Sequence, residues 1–235
     1  VRELDIIAQD TTAYGIDLPD RPTLTALLKQ IDSLPGDFWI RVLYTHPVHI
    51  TDQFIDFLAG GRHAVPYLDV PLQHIADPIL RGMRRAISTE KTLSLMNGIR
   101  SRHPQMVVRT TFLTGFPGET VEDFNELCEF VKETEFEHAG VFPYSREEDT
   151  PAYSFPDQID EQTKQDRYDI IMNTQLGITD ELNRKKLGKR LTVLCEGYDP
   201  VSEAHYGRSY ADAPERDGKI FFTAEHRVKD GEFVT

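Results

Sequence analysis

Five short polar clusters stand where apolar runs of this chain stop. They are Gln9, Asp10 and Thr11; Tyr44, Thr45 and His46; Gln73 and His74; Thr114 and Gly115, with Glu119 close behind; and Tyr144 and Ser145. Amide, hydroxyl, carboxylate and imidazole groups of this kind hold and orient a polar small molecule. Arg41 and Arg109 instead lie inside apolar runs, where a guanidinium is cheapest pointing into a lumen or cleft and needs an anion to meet it. That anion is either a ligand or a buried carboxylate such as Asp69. Two arginines on separate runs favour the ligand.

The stretch VVRTTFLTGFPGET, residues 107–120, joins these features. Its first seven residues are rich in β-branched and aromatic types and read as a buried strand. Gly115 and Gly118 bracket Pro117 in a tight turn that lets a ligand approach the backbone. Thr120 then stands at an N-cap position, with Asp123 three residues on as an acidic form of the capping box. The turn lacks the lysine of a P-loop, so by itself it suits nucleotide, phosphate or plain turn geometry.

The remaining chemistry-bearing residues read as structural. His46 and His49 have the spacing of one helical turn, but Pro47 lies between them and no third ligand is near, so they read as solvated loop histidines. Cys128 falls on an apolar helix stripe and Cys195 in a β-like run, which makes both core thiols. Arg81, Arg84 and Arg85 read as a solvated helix face, the alternative being contact with an acidic partner or a ligand at a cavity rim. The run 146–149 reads as a solvated loop.

Strands and helices must alternate to position the clusters. Strand patterns cover residues 3–8, 38–44, 64–70, 107–113 and 138–144. Helical patterns cover 23–33, a short segment capped by Thr51, a segment opened by Asp77 as N-cap and Pro78, then 89–102, 121–134 and about 161–187. The stripe of the helix over 121–134 is Val121, Phe124, Leu127, Cys128 and Val131. Alternation of this kind implies an α/β fold with a parallel sheet and right-handed crossovers. Five strands fall short of eight, so a partial TIM-type barrel is expected, with its site at the strand C-termini. After Gly188 the pattern changes to short runs at 190–196, 204–209 and 219–223 separated by turns, a small antiparallel β module. The expected domains are thus residues 1–187 and 188–235.

The chain has 235 residues, 26 Lys and Arg against 39 Asp and Glu, a formal net charge of -13 and a sequence pI near 5.0. That balance argues against non-specific grip on nucleic-acid phosphates and leaves basic partners open. Two distant cysteines suggest no disulfide framework and point to a reducing, cytoplasmic compartment. No membrane span or signal peptide is visible. The chain opens in a strand pattern and ends within a β-like run, so both ends read as cuts through a longer protein.

Several segments together resemble the radical S-adenosylmethionine methylthiotransferases. These are ELDIIAQDTTAYG, YLDVPLQHIADPILRGMRR, RTTFLTGFPGE, GVFPYSREEDTPAY and GRSYADAPERDG. Within that family they are similar to the branch that modifies an aspartate of a small-subunit ribosomal protein. The tRNA-modifying sister branch usually carries Gln-Ser-Gly where this chain has Gln73, His74 and Ile75. The β module resembles the start of a TRAM domain.

The resemblance implies a radical SAM barrel that binds S-adenosyl-L-methionine, and two 4Fe-4S clusters in the full-length enzyme. The cysteines that ligate those clusters are expected upstream of Val1, so none is expected to bind within these residues, and the piece alone is expected to be inactive. In the family, cleavage of the cofactor yields a 5′-deoxyadenosyl radical that abstracts hydrogen from the aspartate β-carbon, where sulfur and a methyl group are installed. By strand order, the resemblance places Gln9, Asp10 and Thr11 near the methionine end. It assigns Gln73 and Arg109 to ribose and carboxylate contacts, and Arg41 and Thr111 are counted among the cofactor-binding residues. Leu113 to Gly115 and the backbone around Phe142 and Tyr144 shelter the adenine. The implied partner is a basic ribosomal protein. With nine Asp and Glu against seven Lys and Arg from Lys189 onward, the β module is poorly composed for gripping RNA. The competing readings are a tRNA methylthiotransferase and a clusterless barrel that docks a partner.

Overall fold

The alternating apolar runs assemble as two parallel sheets, of two and three strands, that an isolated bridge joins, in a computed structural model that describes residues 1–235. The strands are β1 (Glu3–Ile6), β2 (Trp39–Val42), β3 (Tyr67–Asp69), β4 (Val107–Thr114) and β5 (His138–Pro143). β1 pairs with β2, and β4 with both β3 and β5, all in parallel. β2 and the segment leading into β3 are joined by a parallel bridge between Ile40 and Ala64. Spatial order therefore follows chain order, as in an incomplete barrel.

Six helices supply the crossovers: α1 (Leu24–Asp32), α2 (Asp52–Gly60), α3 (Asp77–Gly82), α4 (Thr89–Arg102), α5 (Val121–Thr134) and α6 (Glu161–Arg184). Thr23, Thr51, Ser88 and Asp160 cap α1, α2, α4 and α6 by accepting from backbone N–H groups. α5 carries the expected capping box of Thr120 and Asp123. Two local expectations are corrected. Ala76, not Asp77, is the N-cap of α3; the Asp77 carboxylate instead accepts from the Thr89 backbone N and hydroxyl at the head of α4. Val121 lies 60% exposed in the first turn of α5, outside the buried stripe.

The two faces of the sheet have different partners. Ile40, Val42, Leu68, Val108 and Phe112 point to the helices and join the main core with Leu28, Leu58, Leu127, Val131 and Ile171. The alternate residues Arg41, Asp69, Arg109 and Thr111 lie on the opposite, concave face, as the two-residue period of a strand requires.

A four-stranded antiparallel sheet follows: β6 (Val193–Asp199), β7 (Ala204–Ser209), β8 (Ile220–Phe222) and β9 (Phe233–Val234), in the order β8-β7-β6-β9. The segment 210–217 between β7 and β8 enters the concave face, where Ala211 and Ala213 pack with Leu43, Val65, Tyr67 and Val107. No helix is long and apolar enough to cross a membrane.

Candidate functional site at the strand C-termini

The glycine turn after β4 is held from below. Gly115 has φ +73° and Gly118 φ +83°, backbone conformations that favour glycine. Glu119 folds back beneath the turn: its Oε2 accepts from Gly115 N at 2.6 Å and Phe116 N at 3.3 Å. Its Oε1 meets Arg167 Nη1 of α6 at 2.7 Å. Burial pushes the Glu119 carboxyl up while the Arg167 charge pulls it down. Lys164, one turn earlier on α6 and 2% exposed, packs against Gly115 and lies 5.2 Å from the Tyr144 ring. Neither α6 residue was visible as part of the turn in the sequence, because the contact spans about fifty residues. Glu119 therefore braces the turn and faces no ligand.

His74 lies behind the same turn. Ala76 N donates to its Nδ1 at 3.0 Å, which places the ring proton on Nε2, 3.8 Å from Glu119 Oε2. Burial lowers its pKa to about 4, so the ring is neutral.

Above the turn, Leu113, Phe116 and Tyr144 form an apolar cup with Ala152 and Phe155 from the loop after β5. The run 146–149 is exposed as expected, and the residues after it, Ala152 and Phe155, contribute an inner wall. A cavity of roughly 360 Å³ opens here, closed on its other side by Gln73 and by Met83 to Arg85. Gln73 has φ +71°, and its backbone bridges Thr111 O and Leu113 N at 2.8 Å each. Its half-buried side chain is left for the cavity.

The expected site residues divide accordingly. Gln73, Leu113 and Tyr144 share this cavity, Gly115 is buried behind it against Lys164, and Phe142, 61% exposed, stands beside Leu113 in the β4–β5 register. Thr111 lies lower on the concave face. Gln9, Asp10 and Thr11 sit at the end of β1. Gln9 is exposed, whereas the Thr11 hydroxyl donates to Leu43 O. Asp10 accepts from Thr12 Oγ1 at 2.6 Å and pairs with His49 Nδ1 at 2.9 Å. His46 joins them, the ligand-type atoms of the three lying within 4.8 Å of one another. Asp10 is the third group that sequence spacing did not show; its bond to His49, and that of His46 N to Thr12 Oγ1, clasp the two loops together.

The expected ligand contacts of Arg41 and Arg109 are corrected. Arg41 is fully buried; its Nε meets Glu3 at 2.8 Å, its Nη1 donates to Tyr210 O at 2.9 Å, and it stacks on Tyr67. Arg109 pairs with Asp69 at 2.9 Å and faces Asp217 at 3.5 Å. Both charges are paired with carboxylates inside the protein, although Arg41 keeps one buried nitrogen, Nη2, without a partner; both lie against segment 210–217 and below the rim.

A nucleoside cofactor fits the rim, which combines an apolar cup, an adjacent amide and a buried polar atom without a partner at Arg85 Nε. An iron–sulfur cluster does not fit these residues. The only thiols are Cys128, in the core under the sheet, and Cys195, in β6; both are buried and free, and burial pushes both pKa values up.

Residues 8–131 match the family model of the Radical SAM superfamily, and residues 187–235 that of the TRAM domain. The chain is 46% identical over 221 residues to a "Ribosomal protein uS12 methylthiotransferase RimO" of Thermosipho africanus (strain TCF52B), covering 94% of this chain and 51% of that protein. It is 44% identical over 234 residues to the protein of the same name from Thermoanaerobacter sp. (strain X514), covering 100% and 53%. The chain spans about half the length of the curated relatives it matches. Among solved structures, coproporphyrinogen III oxidase (HemN) from Escherichia coli, a Radical SAM enzyme, is similar with TM-score 0.52 at 20% identity. The match covers 69% of this chain and 38% of that one, and is a likeness of fold.

Proposed function

This chain belongs to the radical SAM superfamily, and from that premise we propose that it is the barrel and TRAM portion of a methylthiotransferase acting on ribosomal protein uS12. The observation that carries this reading is identity of 44 to 46% with uS12 methylthiotransferases across 94 to 100% of the chain. The proposed reaction installs a methylthio group at the β-carbon of an aspartate, in the cytoplasm. The acidic chain, at -13, suits a basic ribosomal substrate.

S-adenosylmethionine, when bound, supplies the hydrogen-abstracting chemistry of the superfamily, and any cluster it requires takes its thiolates from outside these residues. The chain's own contribution is binding and orientation. Leu113, Phe116 and Tyr144 exclude water around the adenine, with Phe142 at the edge. Gln73 offers an amide to the ribose, and Thr111 a hydroxyl lower on the same face. Gly115 lets Lys164 of α6 pack against the turn that carries Leu113 and Phe116. Gln9 faces the methionine end, while Asp10 and Thr11 hold its loop in place.

Mass spectrometry of uS12 and bulk tRNA from a strain lacking the gene tests the reading. The expected result is loss of a methylthio group from the uS12 aspartate with tRNA unchanged. An unmodified tRNA with intact uS12 would move the enzyme to the tRNA branch; no change in either would leave a barrel that only docks a partner.

A further inference from the structure

We propose that Asp10, His46 and His49 form a binding site for a divalent transition-metal ion of the zinc class. The site goes beyond the methylthiotransferase reading and does not depend on it, since none of the three residues lines the rim cavity.

Sequence spacing spoke against a metal on two grounds: Pro47 between the histidines, and the lack of a third ligand. The structure removes both. Pro47 opens a short 3₁₀ turn, Pro47–His49, whose N-cap is His46. Proline suits that place, because its φ is preset and its missing N–H would have no partner in the turn. The turn brings His49 back beside His46, with ring centroids 5.6 Å apart. Asp10 then reaches the pair from the loop after β1.

The carboxylate is aimed by its neighbours. Asp10 Oδ1 accepts from the Thr12 hydroxyl at 2.6 Å and from Ala13 N at 3.2 Å, which leaves Oδ2 facing His49 Nδ1 at 2.9 Å. Thr12 Oγ1 in turn accepts from His46 N at 3.0 Å. One threonine thus orients groups on both loops, as the outer partners of metal ligands do. Ligand atoms of a tetrahedral zinc site lie about 3.3 Å from one another. The Asp10–His49 separation is already close to that, and a rotation of the half-buried His46 ring completes the set. His49 also lines a cavity of roughly 610 Å³ at the first turns of α1 and α2, which leaves room for water in the ion's remaining positions.

Four histidines lie within 4.0 Å of a carboxylate oxygen. Three of those carboxylates also face an arginine: Glu119 meets Arg167, Asp56 meets Arg102 and Asp217 meets Arg109. A guanidinium there already supplies the positive charge that a metal would bring. Asp10 has no arginine or lysine within that distance and has a second imidazole instead. Two imidazoles and one carboxylate are the donors of a borderline divalent ion. Burial, and then the more distant Arg85 charge, lower the His46 pKa. That keeps the ring neutral, as a ligand must be. The same charge opposes a cation, so the ion is expected to exchange readily.

The test uses the full-length enzyme with its clusters reconstituted and loosely held metal removed by a weak chelator. Anaerobic equilibrium dialysis against zinc chloride, with bound zinc counted by mass spectrometry, compares the wild type with H49A, D10N and H103A. The wild type is expected to hold one zinc per chain more than H49A or D10N. H103A removes a histidine–carboxylate contact that has an arginine in place of a second imidazole, and is expected to keep that zinc. X-ray absorption at the zinc edge should show nitrogen and oxygen neighbours at about 2.0–2.1 Å with imidazole scattering. Equal zinc in the wild type and a folded H49A overturns the inference. So does a shell of sulfur alone at about 2.3 Å, which would put the metal on cysteines. The absorption measurement needs no variant, and decides the matter should H49A and D10N not fold. Either result leaves the methylthiotransferase reading to the uS12 and tRNA measurements.

Discussion

Glu119 and Arg167 form a buried pair whose partners leave each other nowhere else to go. The Glu119 side chain is fully buried and that of Arg167 10% exposed. Removing one member strands a charge, which costs about 3–5 kcal/mol in comparable pairs. Glu119→Gln and Arg167→Met should each lower the denaturant-unfolding free energy by about that amount, and the double variant by clearly less than their sum. Additive losses would show that the two act independently. His74 adds a pH signature. Its imidazole stays neutral in the folded chain down to about pH 4, whereas an unfolded histidine takes up a proton near pH 6.5. Between those values the unfolded state holds the extra proton, so stability falls as pH drops from 6.5 toward 4. The span is worth about 3 kcal/mol. Unfolding midpoints across that range should decline less steeply in His74→Phe; an unchanged slope would remove His74 as the source.

The strand–turn–helix corner from β4 to α5 is the element that most depends on its neighbours. Its strand alternation and capping box are local, and both stand in the structure as their residue types require. The turn's rigidity is not local, since Lys164 and Arg167 of α6 support it. A Cβ at Gly115 would meet Lys164 Cγ at 2.3 Å, at a backbone φ of +73°. Gly115→Ala should therefore destabilise the chain by about 1–3 kcal/mol, and should weaken S-adenosylmethionine binding in the full-length enzyme. Gly118→Ala is the control: its Cβ meets nothing within 4 Å, so backbone strain acts alone and the cost should be smaller. Equal losses in thermal unfolding would mean that the α6 contact contributes nothing.

At the scale of the molecule, the parallel sheet and the C-terminal β module share one polar seam. Arg208 of β7 pairs with Glu3 of β1 and with Glu196 of β6. Tyr67 donates to Asp217, and His138 meets Ala211 O at 2.7 Å. Trp39, the one tryptophan, lies on β2 with its ring 4.9 Å from Phe233 of β9. Its fluorescence reports on this seam directly. Tryptophan emission and far-ultraviolet circular dichroism should lose signal in one coincident denaturant transition. Arg208→Met should shift that transition by about 1–3 kcal/mol, because Glu196 loses its cation while Glu3 keeps Arg41. Two separated transitions in the wild type would show that the sheet and module fold independently.

By itself the sequence determined the features governed by near neighbours. The five strand patterns, the helix caps at Thr51 and Thr120, the glycine turn and the change of texture after Gly188 all follow from periodicity and local hydrogen bonding. The family motifs reside in the same short segments. Tertiary structure alone decided which charges face a ligand. Arg41 and Arg109 share the residue type and strand setting of a ligand-binding arginine, yet segment 210–217, over a hundred residues later, brings them Tyr210 O and Asp217. Arg85, grouped in sequence with two solvated arginines, turns inward after Arg84 takes φ +55°, and its Nη2 donates to Pro71 O. A guanidinium carries the same charge in every setting. Whether that charge is spent within the fold or kept for a ligand depends on which distant carboxylates the chain brings to it.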